Sequence, residues 1–225
     1  MIGHAILWLR WQLRSRRPVP VEAPSNRVGA DRCRIVYINL DRRPERRAEI
    51  EGEFQRLGIA HAQRLVASDR PNGALGCAES HAAALAEWDP RREALLMVCE
   101  DDAVFRVDRA QLDQMIETFV AESALDVLCL GFNVRNEIAI SETMSLTSNT
   151  QTTSCYVLKG HMRDPLLVTA RESVASFTRL RRGVHIDRAW KPLQRRWFFA
   201  IPRFRAVVQR ASFSDVEGRF VEYRV

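Results

Sequence analysis

At 225 residues with 46% hydrophobic content, the chain is long enough for one sizeable core and too short for several. Its formal charge is +6, carried almost wholly by arginine, since Lys159 and Lys191 are the only lysines. Arginine suits bidentate grip on phosphate or carboxylate, which leaves nucleic acid, an anionic membrane surface and a phosphorylated small molecule as partner classes. Five scattered cysteines without a C-x-x-C pair argue against a disulfide frame or a zinc site and predict reduced, packed thiols in a cytoplasmic protein.

The N-terminal stretch M-I-G-H-A-I-L-W-L-R-W-Q-L-R-S-R-R puts Ile2, Ile6, Leu9 and Leu13 on one helical face, with four arginines close by. It is too short and too interrupted for a membrane span or a cleaved signal peptide. A short amphipathic helix is predicted. It either lies on the inner face of a membrane as a peripheral contact through residues 1–17, or packs on the domain or a partner subunit. A proline-rich linker closes this region near residue 30, and residues 31–225 form the main domain.

Arg34 to Asn39 reads as a buried strand, and Pro44 opens a helix that carries Ile50, Phe54 and Leu57 before Gly58 ends it. A second helix is predicted over Leu75 to Trp88, then a strand over Ala94 to Cys99. A helix marked by Leu112, Met115, Ile116 and Phe119 follows, with strands at Asp126–Gly131 and Thr152–Leu158. Strands alternating with helices predict an α/β fold: one layered domain with a mostly parallel central sheet flanked by helices. Past Arg171 the pattern weakens.

Ligands bind such sheets at the carboxyl ends of the strands, which is where two polar clusters fall. In L-L-M-V-C-E-D-D-A-V-F, Leu95 to Phe105, three acids follow five apolar residues directly. Unpaired buried charge is costly, so a counter-charge is expected. Strand alternation would put Glu100 and Asp102 on one face and Asp101 on the other, a pair able to hold Mg²⁺ or Mn²⁺ beside a substrate diphosphate. The competing reading is a solvated acidic turn. The second cluster, I-N-L-D-R-R-P-E-R-R from Ile38 to Arg47, offers guanidinium groups and helix N-terminal amides for a phosphate or nucleoside, or else a solvated helix face. His81 shares a helical stripe with Cys77, Leu85 and Trp88, the pattern of a hydrogen-bonded core histidine. His185 and Asp187 would share one face if V-H-I-D were extended, which makes His185 a candidate third metal ligand.

Three of these stretches, I-N-L-D-R-R-x-x-R at Ile38 to Arg46, G-A-L-G-C-A-E-S-H at Gly73 to His81 and V-C-E-D-D-A at Val98 to Ala103, stand in an order that resembles glycosyltransferase family 25. Looser matches follow at Thr152–Leu158, Val184–Asp187 and Gln209–Gly218. Glu79 departs from the pattern, which has an apolar residue there. The resemblance implies a GT-A-like fold, inverting transfer from a nucleotide sugar (a UDP-sugar in the first instance) and a glycan or glycolipid acceptor, as in lipopolysaccharide synthesis. Carried over, Asp102 and Glu100 are metal ligands, with Asn39, Asp41, Arg42, Arg43, Glu100 and Asp101 lining the nucleotide pocket. The base that accepts the acceptor proton is expected at Asp187, with Asp215 and Glu217 as alternatives, and Trp190 is placed to stack on a sugar ring. Two other readings stand beside this one: an arginine-rich nucleic-acid-binding module, and a catalytically inactive relative acting as a partner protein.

Overall fold

The computed structural model describes residues 2–15, 27–133, 136–179, 183–214, 216 and 218–222. Among these residues six α-helices span Ile2–Ser15 (α1), Pro44–Arg56 (α2), Gly73–Glu87 (α3), Arg109–Ala121 (α4), Arg163–Arg179 (α5) and Ile186–Ala189 (α6). The strands among the described residues are Cys33–Asn39 (β1), Gln63–Val66 (β2), Leu95–Glu100 (β3), Ala103–Phe105 (β4), Val127–Cys129 (β5), Glu137–Ala139 (β6), Met144–Thr147 (β7), Cys155–Lys159 (β8), Phe199–Pro202 (β9), Val207–Gln209 (β10), Ser212–Ser214 (β11) and Arg219–Val221 (β12). Eight of them form one sheet in the order β2-β1-β3-β8-β5-β9-β7-β6. Only β8 and β7 run against the other six, so the sheet is mostly parallel, as predicted.

Alternation along β1 builds both faces of this sheet. Ile35 and Tyr37 join Ile50, Phe54, Leu112 and Phe119 in one apolar layer. Val36 and Ile38 face the other way, toward Leu85, Trp88, Leu158 and Leu166. The helices therefore sandwich the sheet, and burying side chains on both of its faces requires the near-continuous apolar strands seen at β3 and β8. Local signals set the helix starts. Pro44 sits in the first turn of α2, Asn72 accepts from the amides of Ala74 and Leu75 at the start of α3, and Asp108 and Gln111 form a capping box on α4.

α1 packs on the domain, one of the two placements expected, but through a different face from the stripe read in the sequence. The stripe Ile6, Leu9 and Leu13 is exposed, while Leu7 and Trp11 on the other side are buried in the domain. Trp11 packs edge-on against Phe198 at 5.4 Å between ring centroids. Arg14 grips the fully buried Asp126 with two bonds of 2.9 and 2.6 Å. The same carboxylate accepts from His161 at 2.7 Å and from the Phe198 amide at 2.7 Å. Arg14→Ala is expected to lower stability by about 2 kcal/mol, because it strips a buried carboxylate of one of three partners and exposes Phe198. Equilibrium urea unfolding measures it, and an unchanged midpoint would show that α1 is a passenger. Among the described residues no helix is long and apolar enough to cross a membrane.

Candidate functional site

β1 and β3 lie side by side and parallel, with Ile38 opposite Glu100, so both polar clusters emerge at one end of the sheet. The antiparallel β8 starts at this same end, and the Glu100 amide donates to the Ser154 carbonyl at 2.7 Å. A cleft of about 320 Å³ opens there. Its walls carry Arg42, Arg46, Cys77, His81, Glu100, Asp101, Asp102, Thr153, His185 and Asp187. Asn39, Asp41 and Arg43, the other expected nucleotide contacts, do not line it. Asp215 and Glu217 lie outside the described residues.

The strand ends at Glu100, so the alternation expected through Asp102 does not hold. Asp101 and Asp102 form a tight turn into β4, and all three acids reach the cleft. Nor is the turn solvated, since Asp101 and Asp102 are 7% and 8% exposed. Asp101 is held from the other cluster: Asn39 Nδ2 donates to it at 2.8 Å and Arg46 at 2.9 Å. Asn39 is itself consumed by the scaffold, because its amide also donates to the Arg43 carbonyl and its oxygen accepts from Arg64. Asp41 is exposed and paired with Arg64 at 2.7 Å. Arg43 lies over the Phe213 ring at 5.7 Å.

Glu100 and Asp102 differ sharply in environment. Burial alone would raise the Glu100 carboxyl, but His81, Thr153 and the Arg46 charge hold it below its ordinary value. The bonds are 3.2 Å from His81 Nε2 and 2.7 Å from Thr153 Oγ1. Asp102 is pushed up to about 7 by burial and by the neighbouring Glu100 charge. Gln209 Nε2 reaches its Oδ2 at 3.3 Å, while its buried Oδ1 has no partner among the described residues. Pairing of β10 with β4 places Gln209 there, and the Arg210 amide also pins the Asp102 carbonyl at 2.7 Å. An orphaned buried carboxylate oxygen beside a second carboxylate fits a hard divalent cation, whose arrival would satisfy the oxygen and offset the repulsion.

V-H-I-D is not extended. His185 precedes α6 as its N-cap and Asp187 lies in its first turn, so strand alternation cannot align them, although both face the cleft. Burial raises the Asp187 carboxyl, partly offset by the His185 charge and the Thr152 amide. Among the described residues no arginine pairs with Asp187. Thr152 holds φ at +85°, a costly conformation for a β-branched residue and one concentrated at functional sites. Trp190 is 1% exposed, packed edge-on against Tyr156 and Phe199. It is core and does not stack on a sugar.

α3 supplies the floor. Glu79, the departure from the resembling pattern, accepts from Arg70 at 2.7 Å and from Ser68, strapping the loop that walls the cleft. Gly76 makes room for that loop: a Cβ there would sit 2.4 Å from the Ser68 carbonyl oxygen. Gly76→Ala is expected to cost about 2 kcal/mol and to push the Ser68–Arg70 wall outward. Thermal unfolding together with loop proteolysis reads both effects, and a wild-type melting curve would contradict the packing. His81 is fully buried, as its stripe predicted, yet it contacts Glu100, which sequence periodicity could not show.

No protein-family model matches the chain, and none of the curated proteins compared with it matches. Among solved structures it is similar to a UDP-glucose pyrophosphorylase complexed with UDP-glucose. Identity is 9%, the TM-score is 0.51, and the match covers 82% of this chain and 79% of that one. The fold is of the nucleotide-sugar pyrophosphorylase kind. A197 from STIV (12% identity, TM-score 0.46, 77% and 82% covered) and an apo UDP-glucose pyrophosphorylase (12%, 0.47, 82% and 78%) are more distant in shape.

Proposed function

We propose that the chain is an inverting, divalent-cation-dependent glycosyltransferase of the family 25 type with a GT-A-like fold. It moves a sugar from a nucleotide sugar, in the first instance a UDP-sugar, to a hydroxyl of a glycan or glycolipid. One observation carries the reading: the buried, half-satisfied Asp102 stands beside Glu100 in a cleft that also holds Asp187. A fold like that of a protein binding UDP-glucose supports it.

Glu100 and Asp102 would hold Mn²⁺ or Mg²⁺, with His185 within the same cleft. A bound divalent cation supplies charge neutralisation for a leaving diphosphate. Arg42, which lines the cleft, adds positive charge for the phosphates. Asp187 accepts the proton of the acceptor hydroxyl, and its raised carboxyl makes it a stronger base than an exposed aspartate. The exposed Ile6, Trp8, Leu9 and Leu13 of α1 give the protein an apolar face for contact with a membrane that carries a lipid-linked acceptor.

The arginine excess has other uses than nucleic acid. Arg14, Arg32, Arg46, Arg56 and Arg109 are engaged with carboxylates or backbone carbonyls of the domain itself. The named neighbour does favour a second reading, nucleotidyl transfer from a nucleoside triphosphate to a sugar 1-phosphate. The two separate by product. Incubation with a nucleotide sugar and Mn²⁺ is expected to raise the melting temperature, and adding a glycan acceptor whose hydroxyl takes the sugar is expected to release a nucleoside diphosphate. Pyrophosphate release from a triphosphate and a sugar 1-phosphate would establish the second reading. No stabilisation by any nucleotide sugar, with or without Mn²⁺, would overturn both and leave a non-catalytic partner protein.

A further inference from the structure

The floor of the cleft holds a second constellation of a different chemical character. Cys77 and His81 lie one helical turn apart on α3, facing the end of β3. One donor atom each from Cys77, His81 and Glu100 fall within 4.8 Å of one another. A thiol, an imidazole and a carboxylate are the mixed soft and borderline donors that zinc prefers, and hard cations such as Mg²⁺ have no use for the sulfur. The outer contacts are also those of a metal site. His81 Nδ1 meets the buried Tyr156 hydroxyl at 2.9 Å, and Thr153 bonds the Glu100 carboxylate, so two of the three donors are already oriented by a second residue.

Two alternatives account for less. A nucleophilic thiol needs a free imidazole nitrogen to take its proton, yet both ring nitrogens of His81 are engaged, one by Tyr156 and one by Glu100. A purely structural role explains the His81 contacts but not a cysteine on the cleft wall. Burial pushes the Cys77 thiol well above its usual range, and the charges of Glu100, Asp187 and Asp102 push it the same way, so the floor lacks positive charge as it stands.

We propose that Cys77, His81 and Glu100 form a binding site for a thiophilic divalent cation such as Zn²⁺, separate from the hard-cation position at Asp102 and linked to it through Glu100. Zinc bond lengths place tetrahedral ligand atoms about 3.3–3.7 Å apart, so the triplet closes by roughly 1 Å at its widest. On binding, the Cys77 thiol gives its proton to solvent. His81 would present Nε2 to the cation and keep a proton on Nδ1 for the Tyr156 oxygen. The thiolate and the Glu100 carboxylate then balance the two positive charges. The proposal does not need the glycosyltransferase reading, and its test uses neither donor nor acceptor.

The test is Zn²⁺ titration of the metal-free full chain by calorimetry, in buffers of differing ionisation enthalpy. One equivalent is expected to bind with net release of protons, at least the one from the Cys77 thiol. Cys77→Ser and His81→Gln should each weaken Zn²⁺ by 100-fold or more, Tyr156→Phe by about tenfold. Asp102→Asn should change Zn²⁺ affinity less than threefold, and Cys77→Ser should do the same for Mn²⁺. Cobalt substitution provides a readout independent of affinity. The wild-type protein should show a thiolate-to-cobalt charge-transfer band that Cys77→Ser abolishes while its circular dichroism is unchanged. Wild-type Zn²⁺ affinity in Cys77→Ser, or a cobalt band that survives that substitution, overturns the proposal. So does a Zn²⁺ affinity lost as strongly in Asp102→Asn as in Cys77→Ser.

Discussion

Asp102→Asn is expected to lower cation-dependent nucleotide-sugar affinity by at least 100-fold while making the cation-free protein more stable. The two effects share one cause. In the wild-type fold a buried carboxylate with an unpartnered Oδ1 stands against the Glu100 charge. Its folded pKa of about 7 lies above the usual 3.8, so folding takes up a proton between those values. Stability contributed by the protonated form is therefore full below about pH 4 and is lost as pH rises toward 7. Asparagine removes this titration and is expected to add on the order of 2 kcal/mol at pH 8, less than the full shift implies because the amide also needs partners. Urea midpoints across pH 4 to 8 measure the slope, and equilibrium dialysis with Mn²⁺ measures the ligand. A variant that loses stability at pH 8, or keeps wild-type Mn²⁺-dependent donor affinity, would remove Asp102 from the cation site.

Asp187→Asn is expected to reduce turnover by about 10²-fold or more with donor affinity changed less than threefold, the signature of a lost general base. Asparagine keeps the bond from the Thr152 amide, so the cleft wall should stay in place. The wild-type pH–rate profile should show an acid limb above the ordinary carboxylate range, because burial raises this group. That limb should vanish in the variant. Near-wild-type turnover would pass the role to another carboxylate, with Asp215 and Glu217 next in line.

Residue patterns by themselves determined the α/β layering, the first helices and strands apart from the short β2 and β4, and the placing of two polar clusters at strand ends. Those features are local: β-branched runs such as Arg34–Asn39, Pro44 and Gly58 as punctuation, and the Ile50–Phe54–Leu57 spacing all act through near neighbours. The weakly patterned second half hid α5 and the strand β9. The helix carries polar residues over much of its surface, and β9 is only four residues long and buried, a length at which periodicity cannot tell strand from helix.

Only the tertiary structure decided which side chains meet. The motifs that resemble family 25 pointed to Asn39, Asp41 and Arg43 alongside Arg42, yet Asn39 is spent bracing Asp101 and Arg43, and Asp41 is turned to Arg64. Cys77 and His81 carried the pattern of a core stripe, and nothing in their spacing pointed to Glu100, which arrives from a strand 19 residues beyond His81. The buried face of α1 was equally hidden. Its apolar residues cover most of the helix, so the choice between Leu7–Trp11 and Ile6–Leu9–Leu13 fell to the Asp126 carboxylate, a long-range partner for Arg14 that lies 112 residues away. Periodicity tells which residues share a face. Pairing of distant buried charges decides what that face meets, because an uncompensated carboxylate costs more than one more exposed leucine.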